Sequence, residues 1–268
     1  VAGWQQGDVT ANGVRIHYYR TGGDKRALIL NHGATDNGLC FTRVARVLEA
    51  DYDVIMPDAR GHGLSEAPTE GYSTRDRAAD VADLIEALGL SRPIVGGHSM
   101  GAQTTMRFAA EYPDLIDRAI LEDPPMWSSS APPMDPARPN PFRERLRELR
   151  TLSRDEIIAR GKAENPTWDD SEFGPWADSK LQVNPRFLDR PFFQGEPPWQ
   201  EVLPRVTCPT LLITSDPERG GIVTPEAAAE AQRLNPRVQV QRLGGAGHNV
   251  RREQFDAFIA SLRSFLAS

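Results

Sequence analysis

The segment Ile94-Val95-Gly96-Gly97-His98-Ser99-Met100-Gly101-Ala102 runs from an apolar stretch through a G-x-S-x-G motif into a helical pattern. In that motif the glycines permit a strained turn that lifts a serine oxygen off the end of a strand, where it can act as a nucleophile. The motif alone is weak evidence: a chain of this composition would contain about 0.1 such matches by chance. Its context carries the reading. Pro93 to Gly96 is strand-like, and Met100 to Tyr112 has helical periodicity that stops at Pro113. Ser99 is therefore the candidate nucleophile.

Outward from this point, strand and helix patterns alternate. Val14 to Tyr19 follows an Asn12-Gly13 turn signal, Ala27 to Asn31 is a short apolar run, and Tyr52 to Met56 returns to strand character after a helical face on Leu39, Phe41, Val44, Val47 and Leu48. Ser73 with Asp76 three residues on starts a helix that Gly89 stops. Strands follow at Arg118 to Leu121, Thr210 to Thr214 and Val238 to Val240, with helices beginning at Thr224-Pro225 and spanning Glu253 to Leu266. This alternation predicts an α/β fold, a mostly parallel sheet covered by helices on both faces.

The alternation breaks at Pro124 and resumes near Pro209. That interval holds 15 of the 22 prolines and four of the five tryptophans, which marks it as an insertion. Its Arg-rich part, Phe142 to Ile158, can form amphipathic helices on Leu146, Leu149, Ile157 and Ile158. With 268 residues the chain can bury a sizeable core, and its net charge of −6 offers no global positive field for nucleic acid or an anionic membrane surface. Cys40 and Cys208 lie far apart, so neither a disulfide framework nor a thiolate metal site is indicated. The polar N-terminal residues lack the pattern of a targeting segment, and the expected compartment is the cytoplasm. Oligomeric state is not legible.

A serine alcohol needs a base. Of the five histidines, His98 adjoins Ser99, while His17, His32 and His62 precede it; His248, in a glycine-rich loop after the last strand, is the candidate. An acid must orient that imidazole. Asp216, directly after the strand Thr210 to Thr214, is the first choice; Glu218 in the same turn is the alternative, and the pair Glu122/Asp123, leaving the preceding strand at the same sheet edge, comes third. Backbone N–H groups of Ala34 and Met100 are the candidate oxyanion hole. His32 reads as a brace for its loop, since no HxH or HxxxH spacing suggests a metal. The loop from Asp58 to Ser65 reads as one shaped by Asp58 and Arg60. No cofactor is expected.

His32-Gly33, the Asp58 to Ser65 loop, Gly97 to Gly101, the Asp216 turn and Gly247-His248 together resemble, in order, the α/β-hydrolase superfamily. The resemblance implies an eight-stranded mostly parallel sheet flanked by helices, a helical cap inserted after strand 6, and a Ser-acid-His triad. On that template, residues 1–123 and 207–268 form the core and residues 124–206 the cap. Rings at Trp127, Trp168, Trp176, Trp199, Phe192 and Phe193 are expected to wall an apolar acyl pocket.

The stretches Ala11 to Tyr19 and Thr214 to Pro225 are similar to those of small bacterial esterases that include N-acyl homoserine lactonases. Many relatives carry an aromatic residue after the His-Gly pair, whereas Ala34 leaves room for a bulkier acyl group or a ring. The expected activity is a cofactor-independent serine ester hydrolase whose small-molecule substrate is a lactone such as an N-acyl homoserine lactone. The alternatives are a linear-ester or pyrethroid-type carboxylesterase and a non-catalytic ligand receptor.

Overall fold

The computed structural model describes residues 3–126, 141–189 and 196–267. Strands β1 (Gln5–Ala11) and β2 (Val14–Arg20) form a hairpin. Asn12 and Gly13 make its turn, both with positive φ (46° and 72°), the geometry that matches the right-handed twist of a two-residue hairpin. Then follow β3 (Arg26–Asn31), α1 (Thr42–Leu48), β4 (Tyr52–Pro57), α2 (Thr74–Ala87), β5 (Ile94–His98), α3 (Met100–Glu111) and β6 (Arg118–Glu122). Helices α4 (Pro141–Leu149), α5 (Arg154–Glu164), α6 (Asp170–Gln182) and α7 (Trp199–Val202) stand between β6 and β7 (Thr210–Thr214). The chain closes with α8 (Pro225–Leu234), β8 (Val238–Arg242), α9 (Val250–Glu253) and α10 (Phe255–Ala267).

Among the described residues eight strands form one sheet in the order β1-β2-β4-β3-β5-β6-β7-β8. Of the pairs among these strands, β1–β2 and β2–β4 are antiparallel and the other five are parallel. β5 and β7 are buried along their whole length, as strands covered on both faces must be. Side chains alternate between two apolar layers. Ile29, Val95 and Leu212 pack with Val81, Leu84, Ile85, Met106 and Phe108. Leu28, Ile94 and Leu211 pack with Val44, Leu48, Phe258 and Leu262.

Local signals act as their chemistry requires. Ser73 and Asp76 make a reciprocal capping box, as do Ser153 and Glu156, and the Thr224 hydroxyl accepts the Ala227 N–H at the start of α8. Trp199 departs from expectation: it is buried in the layer with Met106, Phe108 and Val202, because α7 packs on α3 and not over the cavity described below. Trp127, Phe192 and Phe193 lie outside the described residues. Among the described residues no helix is long and apolar enough to cross a membrane.

The strand register brings the functional ends together. Asn31 pairs with Gly97, His98 with Glu122, and Glu122 with Ile213. The residues that leave β3, β5, β6 and β7 therefore emerge side by side at the carboxyl edge, where open parallel sheets bind ligands.

Candidate active site

Ser99 sits between β5 and α3 with φ 52° and ψ −114°, a left-handed backbone that costs a non-glycine residue energy and persists only where its surroundings enforce it. They do so here. The Ser99 N–H donates to the Glu122 carbonyl at 2.9 Å. At Gly101 an added Cβ would lie 2.0 Å from the Asn31 carbonyl oxygen, so α3 can seat against β3 only with glycine there. At Gly33 an added Cβ would lie 2.6 Å from His98 Nδ1 and 3.5 Å from Ser99 Cβ, which puts the turn before Ala34 directly against Ser99.

His248 shares a cavity of about 230 Å³ with Ser99, Ala34, Thr35, Asp36, Trp168, Trp176 and Asn249. Its Nδ1 lies 2.7 Å from Oδ2 of Asp123, a side chain with no solvent exposure. Asp123 has φ 41°, another left-handed non-glycine residue, and its carboxylate also accepts the N–H groups of Ile222 (2.9 Å) and Val223 (3.0 Å). The first-choice acid is therefore corrected. Asp216 does stand at the sheet edge, but its carboxylate accepts the Gly245 N–H and the Arg242 guanidinium, each at 2.7 Å. The Gly245 N–H and Arg242 hold its pKa below the usual carboxylate value. It braces the loop that carries His248 and does not touch the imidazole. Glu218 is exposed in the short helical turn Pro217–Arg219.

Three further histidines hold backbone in place. His98 Nε2 lies 2.9 Å from the His248 carbonyl oxygen and so donates to it, pinning the loop of His248 to β5; burial keeps its pKa well below the ordinary value, so the ring is neutral. His32 accepts the Ala59 N–H on Nε2 (2.9 Å), which leaves Nδ1–H to donate to the Gly33 carbonyl (2.8 Å). This is the bracing role expected of it. His62, also buried, meets the Arg60 carbonyl at 3.0 Å. Asp58 and Arg60 shape their loop as expected: Asp58 accepts the N–H groups of Gly38 and Leu64, and Arg60 pairs with Asp80.

Met100 is the first residue of α3, so its N–H is one of the donors a helix start leaves without an intrahelical acceptor. Ala34 opens the turn closed by the Asp36 N–H to Gly33 carbonyl bond. Both residues adjoin Ser99.

The cavity wall is more charged than the sequence suggested. Trp168 and Trp176 do line it, in edge contact with each other at 6.3 Å, but Arg145, Lys180 and Arg252 line it too. Arg252 stacks over Trp168 at 4.5 Å, and Lys180 stands 5.2 Å above Trp176. Asp36 is their counter-ion, contacting Lys180 at 2.9 Å and Arg251 and Arg252 at 3.2 Å each. Burial opposes its charge, yet Arg252, Lys180 and Arg251 together hold its carboxyl well below the usual range. Arg251 also reaches Glu122 and Arg252 reaches Glu172, closing a buried network. Two signals were available for it: the Arg251-Arg252 pair directly after the loop of His248, and an aspartate in the loop between His32 and Leu39.

The profile of the alpha/beta hydrolase family matches residues 28–261. The chain belongs to that family. Over 97% of its length, and 96% of the relative's, the hydrolase is 34% identical to an N-formylmaleamate deformylase of Pseudomonas putida. It is 28% identical over 92% of its length, and 90% of the relative's, to a 2-(acetamidomethylene)succinate hydrolase of Mesorhizobium japonicum. Among solved structures, that of an N-formylmaleamic acid deformylase from Pseudomonas putida superimposes with a TM-score of 0.80 and 28% identity, covering 97% of this chain and all of the other.

Proposed function

We propose that the protein is a serine hydrolase that cleaves an acyl–nitrogen or acyl–oxygen bond in a small substrate bearing a free carboxylate. The observation that carries the reaction is the hydrogen bond from His248 Nδ1 to buried Asp123 beside a cavity that Ser99 shares. Asp123 selects the tautomer with the proton on Nδ1, which leaves Nε2 free to take the Ser99 proton. Ser99 Oγ then bonds to the carbonyl carbon, and the oxygen that gains charge faces the N–H groups of Ala34 and Met100. The His248 imidazolium gives its proton to the departing amine or alcohol, leaving an acyl-enzyme. Water, deprotonated by the same Nε2, releases the acid and restores Ser99.

The carboxylate follows from the wall. Arg145 and Arg252 line it, and guanidinium groups on a cavity wall favour a ligand that carries a carboxylate. The two near-full-length relatives are named for acids that carry a formyl or acetamido group, which supplies the trial substrates. A second reading, lactone hydrolysis, rests on Ala34, whose small side chain beside Ser99 leaves room for a ring.

The test is a pH-stat and product assay on N-formylmaleamate, 2-(acetamidomethylene)succinate, an N-acyl homoserine lactone and p-nitrophenyl acetate, each with Ser99→Ala as control. Ser99-dependent release from either acid is expected. Release from the lactone and neither acid would move the assignment to a lactonase, and release from p-nitrophenyl acetate alone to a linear-ester esterase. Labelling of Ser99 by a fluorophosphonate without turnover of any substrate would point to a receptor, and undiminished turnover in Ser99→Ala would overturn the serine mechanism.

A further inference from the structure

The turn that carries Ala34 is held from above. Thr35 has φ 62°, a left-handed conformation that is a genuine outlier for a β-branched residue, so something outside the turn must enforce it. Lys180, on α6 and buried, donates to the Thr35 carbonyl at 2.8 Å, to Thr35 Oγ1 at 3.2 Å and to Asp36 Oδ1 at 2.9 Å. Three acceptors take up the three protons of its ammonium, so none is left to donate to a substrate. A second tie runs beside it: Asn37 Nδ2 donates to Gln182 Oε1 at 2.8 Å, again on α6. Both contacts come from the helices inserted after β6, whereas the turn belongs to the segment after β3.

We propose that Lys180 is a positioning residue for the oxyanion hole: by clamping Thr35 and Asp36 it aims the Ala34 N–H at the reacting oxygen, so the hole is complete only while α6 is seated on the core. This rests on the serine-hydrolase reading above. Chemistry and substrate enclosure are thereby linked, because α6 also supplies Trp176 to the cavity. A substrate that seats the inserted helices assembles the donor that its own transition state needs.

Lys180→Met should lower kcat roughly tenfold to hundredfold, less than outright loss of an oxyanion donor, with KM nearly unchanged. The loss should be equal for neutral p-nitrophenyl acetate and anionic p-nitrophenyl hemisuccinate, since Lys180 acts on the turn and not on a substrate carboxylate. Inhibition by trifluoroacetone, which forms a hemiketal on the serine and places an oxyanion in the hole, should weaken in step with kcat/KM. Adding Thr35→Gly should restore part of the rate, because glycine adopts the required φ without help. Lys180→Arg keeps the charge of the network, and so its fold, but its planar fork cannot meet the same three acceptors; an intermediate loss of the same kind is expected. A loss confined to the hemisuccinate, or one in KM with trifluoroacetone inhibition unchanged, would overturn the positioning role. So would Ser99-dependent turnover with intact kcat in Lys180→Met, an outcome distinct from Ser99→Ala activity, which would overturn the serine mechanism itself.

Discussion

His248 Nδ1 lies 2.7 Å from Oδ2 of Asp123, and that carboxylate is simultaneously fixed by the N–H groups of Ile222 and Val223. The carboxylate that meets the imidazole thus comes from the end of β6, the strand next to the one that leads into Ser99, and the segment after β7 contributes backbone donors in place of a side chain. Those donors compensate a fully buried charge, which would otherwise be costly.

This arrangement separates two aspartates. Asp123→Asn should lower kcat by about 10³ to 10⁴-fold, because the amide cannot enforce the Nδ1–H tautomer. Asp216→Asn should lower it less than about tenfold, since Asp216 only braces the loop through Gly245 and Arg242. Steady-state kinetics on the two variants side by side checks this; the reverse order would return the acid to the end of β7.

Asp36 should govern acid stability around the cavity. Its carboxyl is held well below the usual range in spite of burial, by Arg252, Lys180 and Arg251. A lowered folded-state pKa contributes stability that is complete above the unfolded value of about 3.9 and is lost as the pH falls through the folded value. Urea unfolding midpoints should therefore show no pH dependence from this group between neutral pH and about pH 4, then a fall below it. Asp36→Asn, which strands buried cations, should cost about 3–5 kcal/mol at neutral pH and flatten the acid limb.

Arg145 tests the charge of the substrate. It lines the cavity from α4, with its outer side paired to Glu164. Arg145→Gln should raise KM for N-formylmaleamate about tenfold while changing p-nitrophenyl acetate kinetics less than about twofold, the signature of a lost ground-state contact to one substrate only. Equal effects on both substrates would place Arg145 in the packing of the cavity wall.

Much of this was legible in the residues. The elbow at Ser99, the turn at Asn12-Gly13 and the capping box at Ser73 are short-range devices whose chemistry is complete within a few residues, so the sequence displays them directly. β1 was not legible. Its residues, from Gln5 to Ala11, form an edge strand exposed or half-exposed over most of its length, and it carries no apolar alternation. The choice between acids was not legible either, because β6 and β7 end side by side and both present carboxylates. What separates them is the path of residues 243–249, whose Gly245 N–H captures Asp216 and whose imidazole turns to Asp123. The cations of the cavity are scattered over α4, α6 and α9, and only the packing of those helices brings them to one wall.

The most direct measurement is the intact mass of the protein, quenched during turnover of p-nitrophenyl hemisuccinate, with the adduct mapped by peptide analysis. A succinyl group on the peptide containing Ser99, absent from Ser99→Ala and accumulating when deacylation is slowed, is the predicted result. Turnover with no adduct on that peptide, and with a rate unchanged in Ser99→Ala, would contradict the account.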